Sequence, residues 1–236
     1  MNRWWIARML RATIRRQVRQ GLAGLWVRGE APQGGAVLAP NHHSWWDGYL
    51  LAELAWQADQ SLRVMMTTRQ LARFPFLQLI GARPPEQLRP LARDAHAGCW
   101  VVVFPEGAIQ AAGPLVDLQP GAAWLATAAG VPLVPVALRV AVRAGPSPEA
   151  FVRFGRPCPA PELPVRLAEV LAALDTDLAA ADPALPPAGY LRRVMGRTSR
   201  PDEVTPAVRW LARLSGFQAP EEAPHHPRGR HGKMRP

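Results

Sequence analysis

The stretch "LAPNHHSWWDGYL", Leu38–Leu50, passes from an apolar run through two histidines, a serine and two tryptophans to an aspartate. "AVLAP", Ala36–Pro40, reads as a short strand, and Asp47–Gln57 reads as a helix. A strand passing straight into a helix is the repeating unit of an α/β fold. The loop between them decides what His42 can do. On a continuous helix, residues five apart point about 140° away from each other. His42 and Asp47 therefore meet only if His42 lies ahead of the helix, and the Ala39-Pro40 step favours extended backbone there. In that arrangement Asp47 accepts one ring N–H, fixes the tautomer and leaves the other nitrogen free to take a proton. A second reading stays open for the carboxylate. Ser44 and Asp47 are spaced like a capping box with Ser44 as N-cap.

Further strand-like and helix-like runs alternate along the chain. "LWVRGE" (25–30), "SLRVMMTT" (61–68), "CWVVVFPEG" (99–107), "PLVPVALRV" (132–140) and "FVRFGRP" (151–157) read as strands or strand ends. Residues 69–81 read as helical with a break at Pro75, followed by a loop through "ARPPEQLRP". Residues 120–130 and 163–180 read as helices. The uncharged run Pro120–Leu138 has the length of a membrane span. Gly130, Pro132 and Pro135 divide it, and a helix followed by a buried strand is the better reading. Strands alternating with helices imply an α/β fold with a mixed, largely parallel sheet flanked by helices. In such sheets the sites lie beyond the carboxyl ends of the strands, where "FPEG" (104–107) falls.

"NHHSWWD" (41–47) fits the pattern N-H-x-S-x-x-D, "FPEG" follows some sixty residues later, "RFPFLQLIG" (73–81) lies between them, and "VPLVPV" (131–136) lies beyond. This ordered set, over residues 25 to 160, resembles the glycerolipid acyltransferase family, whose best known members acylate lysophosphatidic acid. The resemblance implies transfer of a fatty acyl group from an acyl-CoA or acyl-carrier-protein thioester to a lipid hydroxyl, with no bound cofactor and no metal. It implies His42 as general base and Asp47 as its orienting partner. Glu106, Gly107, Asn41, Ser44 and Arg83 would hold the acceptor or shape its turn. His43 occupies the variable position, takes no role, and is expected to be partly exposed. The family commonly continues Thr-Arg-Ser after F-P-E-G, whereas this chain continues Ala108-Ile109-Gln110. The acceptor stays open between a phosphate-bearing and a neutral lipid.

The 236 residues carry a net charge of +10 with a single lysine, Lys233, so arginine supplies nearly all the cation. A cationic surface favours anionic partners. Residues 1–24 read as a basic amphipathic helix, with Ile6, Leu10, Ile14, Val18 and Leu22 along one arc and Arg8, Arg11, Arg15 and Arg19 on the other side. With Trp4 and Trp5 at its start, such a helix suits an anionic membrane interface, and a helix packed on the domain with its arginines in water is the alternative. The expected location is cytoplasmic, peripheral to the inner face of the cell membrane. Residues 25–185 form the expected acyltransferase domain, 186–216 a helical extension, and 217–236 a disordered tail. Cys99 and Cys158 have no metal-type spacing and read as reduced thiols. A catalytically inactive, basic membrane- or nucleic-acid-binding protein is the competing class; nucleic acid is the less favoured partner. Trp100, Trp124, Val102 and Leu133 are expected in the core; Trp45 and Trp46 are expected in core or interfacial packing, with a place along the acyl or acceptor channel as the alternative.

Overall fold

A computed structural model describes residues 3–196 and Leu214. In chain order the elements are α1 (Arg3–Gly21), β1 (Gly24–Arg28), β2 (Ala36–Pro40), α2 (Asp47–Gln57), β3 (Leu62–Met65), α3 (Thr68–Arg73), β4 (Ala82–Arg83), α4 (Leu88–His96), β5 (Trp100–Val102), α5 (Gly121–Ala129), β6 (Leu133–Ala141), β7 (Glu149–Phe154), α6 (Leu163–Ala180) and β8 (Leu191–Met195). The eight strands form one sheet in the order β4-β3-β5-β2-β6-β7-β1-β8. The first five run parallel, β6 and β7 are antiparallel, β7 and β1 parallel, and β1 and β8 antiparallel. The sheet is thus mixed and largely parallel, as the alternation of strands and helices implies.

Alternation along the strands builds two cores. In β2, Ala36 and Leu38 face α1 and α2, where they meet Ile14, Val18, Leu50 and Leu51. Val37 and Ala39 face the other way, towards Leu91 and Ala95 of α4 and Leu125 of α5. Leu171 and Leu174 of α6 cover Ala137 and Phe151 on the neighbouring strands. Strands buried on both faces need continuous apolar runs, and "WVVV" at 100–103 is one.

The N-terminal helix divides its loyalties. Ile14 and Val18 are buried against the domain, Arg15 Nε pairs with Glu53 at 3.1 Å, and the guanidinium groups of Arg11 and Arg15 lie over the Trp56 ring. Trp4, Trp5 and Met9 are exposed. The uncharged stretch 120–138 contains α5 and most of β6, and among the described residues no helix is long and apolar enough to cross a membrane.

Several expectations are corrected. The segment after Gly81 is not all loop: it forms the short strand β4 and then leads into α4. Pro90 stands in the first turn of α4, where its missing N–H has no intrahelical partner to lose. The strand expected over 61–68 stops at Met65, because the Thr67 side chain accepts from Gln70 N–H and starts α3. Residues 191–195, assigned to a helical extension, form β8 along the β1 edge. Trp124 is 47% exposed and Trp45 58% exposed, while Trp46 packs against the core. The helical piece expected at 208–214 falls, Leu214 apart, outside the described residues, as does the tail 217–236.

Candidate functional site

The site forms where β2 ends. Asn41 is buried, and its amide grips the β6 backbone twice: Nδ2 donates to Leu138 O at 3.2 Å, and Oδ1 accepts from Leu138 N–H at 2.7 Å. This replaces sheet pairing just where the chain leaves β2. Both polar ends of Asn41 are thus engaged with backbone, which suits a residue expected to shape the turn. Asn41 shapes the turn.

His42 lies in the loop ahead of α2, as the spacing requires. Its Nδ1 is 2.9 Å from Asp47 Oδ2, and Asp47 is wholly buried at the first position of α2. The same Oδ2 accepts the N–H groups of His43 and Ser44, each at 2.9 Å. A carboxylate at a helix N-terminus is also favoured by the helix dipole. Half of the capping box therefore forms. Asp47 reaches back to Ser44 N–H, but the Ser44 hydroxyl closes on Trp46 N–H at 3.1 Å instead of serving as the N-cap.

His43 is partly exposed as a residue, as expected, although its side chain is only 7% accessible. Its Nε2 accepts Val140 N–H at 3.1 Å, so that nitrogen carries no proton. Burial holds its pKa below the ordinary value; Asp47 opposes the shift, while Arg139 and His42 add to it.

The second wall comes from the end of β5. The Phe104 ring stacks on the His42 imidazole at 4.1 Å between centroids. Glu106 is buried, and its Oε1 accepts His42 N–H at 2.7 Å. Gln110 N–H donates to His42 O at 2.8 Å. Gly107 turns the chain with φ +71°, which a residue without Cβ adopts freely. Glu106 thus clamps the His42 backbone with one oxygen, a duty the motif alone does not reveal.

Arg83 ends β4 at the same carboxyl edge of the parallel strands. It is three strand positions from β2, about 14 Å by ordinary sheet spacing. Its Nη1 donates to Gln78 O and Ala82 O. Among the described residues, no hydrogen bond or ion pair joins it to His42, Asp47 or Glu106. Ile109 is exposed where an arginine is common. Among the described residues, no three His, Cys, Asp or Glu side chains gather as a metal site.

Chemically, the arrangement is an imidazole with one nitrogen held by a buried carboxylate. Its Nε2 has no protein partner among the described residues. The family model described as Acyltransferase matches residues 15–139. The chain belongs to the acyltransferase family. Residues His42, Asp47 and Glu106 all lie within the matched acyltransferase region. The chain is 28% identical over 147 residues to a 1-acyl-sn-glycerol-3-phosphate acyltransferase of Pseudomonas aeruginosa, an alignment covering 56% of this chain and 52% of that one. It therefore spans about half the length of that relative. The crystal structure of the 1-acyl-sn-glycerophosphate (LPA) acyltransferase from Thermotoga maritima superposes with a TM-score of 0.54 at 17% identity, covering 76% of this chain and 82% of that one. That likeness concerns the acyltransferase fold.

Sequence reading brought His42, Asp47, Ser44, Glu106 and Gly107 to one place. It missed Phe104, His43 and the β6 backbone. Phe104 stands in "FPEG" itself, and its place at the end of an apolar strand was the available signal. The grip on β6 is a long-range contact that no local pattern announces.

Proposed function

We propose that the chain transfers a fatty acyl group from an acyl-CoA or acyl-carrier-protein thioester to the hydroxyl of a lysophospholipid or related lipid. The observation that carries this reading is the 2.9 Å contact of His42 Nδ1 with a fully buried Asp47, which leaves Nε2 open. His42 Nε2 takes the hydroxyl proton as the acceptor oxygen attacks the thioester carbonyl. Asp47 stabilises the imidazolium that forms. The tetrahedral intermediate collapses, the C–S bond breaks, and the thiolate leaves with the proton that His42 returns. No acyl-enzyme is required. Glu106 and Gln110 hold the His42 backbone, Gly107 and Ser44 shape the rim, and Arg83 stands at the edge where a head group phosphate would lie.

Acceptors of the lysophosphatidic-acid class are favoured by the Pseudomonas relative, whose name gives that activity. Ile109, in place of a forked cationic donor, weakens one phosphate contact and leaves Arg83 to supply it. Membrane contact is assigned to the exposed N-terminal half of α1, at the inner face of the cell membrane. There Trp4, Trp5 and Met9 lie beside arginines, a composition that suits an anionic interface.

The test incubates purified protein with labelled acyl-CoA, or with acyl-carrier protein, and either lysophosphatidic acid or a total lipid extract. Mass spectrometry then identifies the product. An acylated lipid that disappears in His42→Ala supports the reading. No transfer from either donor to any acceptor overturns it and leaves a binding protein of the same fold.

A further inference from the structure

Three buried side-chain polar atoms among the described residues lack a hydrogen-bond partner, and two of them face each other beside His42. They are His43 Nδ1 and Asp47 Oδ1, 3.9 Å apart. Such atoms are costly unless something brings them together. Val140 N–H decides what the ring can offer. Because it donates to His43 Nε2, the neutral ring carries its proton on Nδ1, the nitrogen that faces Asp47. One oxygen of Asp47 takes the His42 ring and two backbone N–H groups. The other oxygen has no hydrogen-bond partner among the described residues, and a second imidazole nitrogen lies 3.9 Å from it.

We propose that His43 is a positioning residue, a second imidazole whose Nδ1–H closes on Asp47 Oδ1 and holds the carboxylate square to His42 while the latter takes and returns its proton. The arrangement ties the carboxylate to strand β6 through the ring, since Val140 belongs to β6. A shift of under 1 Å brings 3.9 Å into hydrogen-bonding range. His43 must be neutral in this role, because a protonated ring would aim a second N–H at the Val140 N–H. The charged and titratable groups that face it are Asp47 of α2, Arg139 of β6, His42 of the loop and Asp175 of α6. Burial is the largest influence and favours the neutral ring. The inference rests on the acyltransferase reading for its consequence in turnover, but not for its geometry.

Two substitutions separate the duties of the ring. His43→Gln keeps an acceptor near the Nε2 position for Val140 and loses the donor to Asp47. His43→Asn keeps a donor near Nδ1 and loses the acceptor. For His43→Gln we expect a loss of roughly 10-fold in kcat, the scale of one hydrogen bond to a charged group. KM and Tm should stay close to wild type. His43→Asn should keep kcat within about 3-fold and lower Tm. Unchanged kcat in His43→Gln would overturn the proposal. So would losses of turnover that merely follow Tm in both variants. A readout free of activity is the downfield Nδ1 proton of His42 in protein labelled with ¹⁵N-histidine. It should move in His43→Gln and hold in His43→Asn, and a resonance that ignores both variants also overturns the proposal. Absence of acyl transfer in the wild type would remove the function proposed above and leave this last test standing.

Discussion

Asp47 carries most of what happens at the residue scale, because a single oxygen serves a ring and two main-chain donors. His42→Ala should lower turnover about 100- to 10,000-fold, the usual scale for a general base, with the melting temperature kept. Asp47→Asn should lower turnover at least about 100-fold and also lower the melting temperature, because the loop before α2 loses its common acceptor. Thermal melts beside rate assays read both effects. Normal turnover in a destabilised Asp47→Asn would leave the carboxylate as a structural element alone. His43 adds a pH term. Its folded pKa lies below the ordinary 6.5, so the unfolded chain binds the proton more readily. Its contribution to stability is complete above about 6.5 and is lost as pH falls through the folded value. Melting at pH 7.5 and 5.5 should therefore differ more in wild type than in His43→Gln. The reach of sequence reading is plain here. A spacing of five residues was enough to place His42 on Asp47 once the loop was recognised. It was not enough to tell which side of the sheet His43 would enter, since that depends on Val140, 97 residues away.

At the scale of elements, the two halves of α1 should answer to different tests. Ile14→Ala empties a buried position and should cost about 2–4 kcal/mol in a denaturant melt. Trp4→Ala with Trp5→Ala and Met9→Ala removes exposed apolar surface and should leave stability unchanged, while weakening co-sedimentation with anionic vesicles. Equal vesicle binding would remove the membrane contact from this helix. The four-residue period made the helix legible, and the burial of Ile14 and Val18 with the exposure of Met9 shows why both readings of it had support. β2 and α2 were legible to the residue because an apolar run, a proline and a polar loop bound them. α4 was hidden by Pro84, Pro85 and Pro90, the last of which sits harmlessly in a first turn.

Across the whole molecule, α6 is fastened to the sheet through Asp177. Its carboxylate meets Arg28 of β1 at 2.9 Å, Arg153 of β7, and the Tyr190 hydroxyl at 3.0 Å. Burial pushes the Tyr190 phenol up to about 12, so it remains a donor to Asp177 at any ordinary assay pH. Asp177→Ala strands two guanidinium groups and a half-buried hydroxyl, and should lower stability by about 1–3 kcal/mol in a urea melt. The largely parallel order could be inferred from alternation. The reversal at β6 and β7, and the late return of β8 beside β1, could not, because strand neighbours that are distant in sequence are chosen by packing and not by local pattern. The segments after β2 and β5 are also laced together, since Glu106 Oε1 takes the His42 amide and Gln110 N–H meets its carbonyl. That amide hydrogen cannot trade with solvent until the lacing comes undone. Deuterium uptake at this one position is consequently a stopwatch for the site: should it run ahead of uptake at Val101 and Val102, the two loops part while the sheet beneath them is still whole.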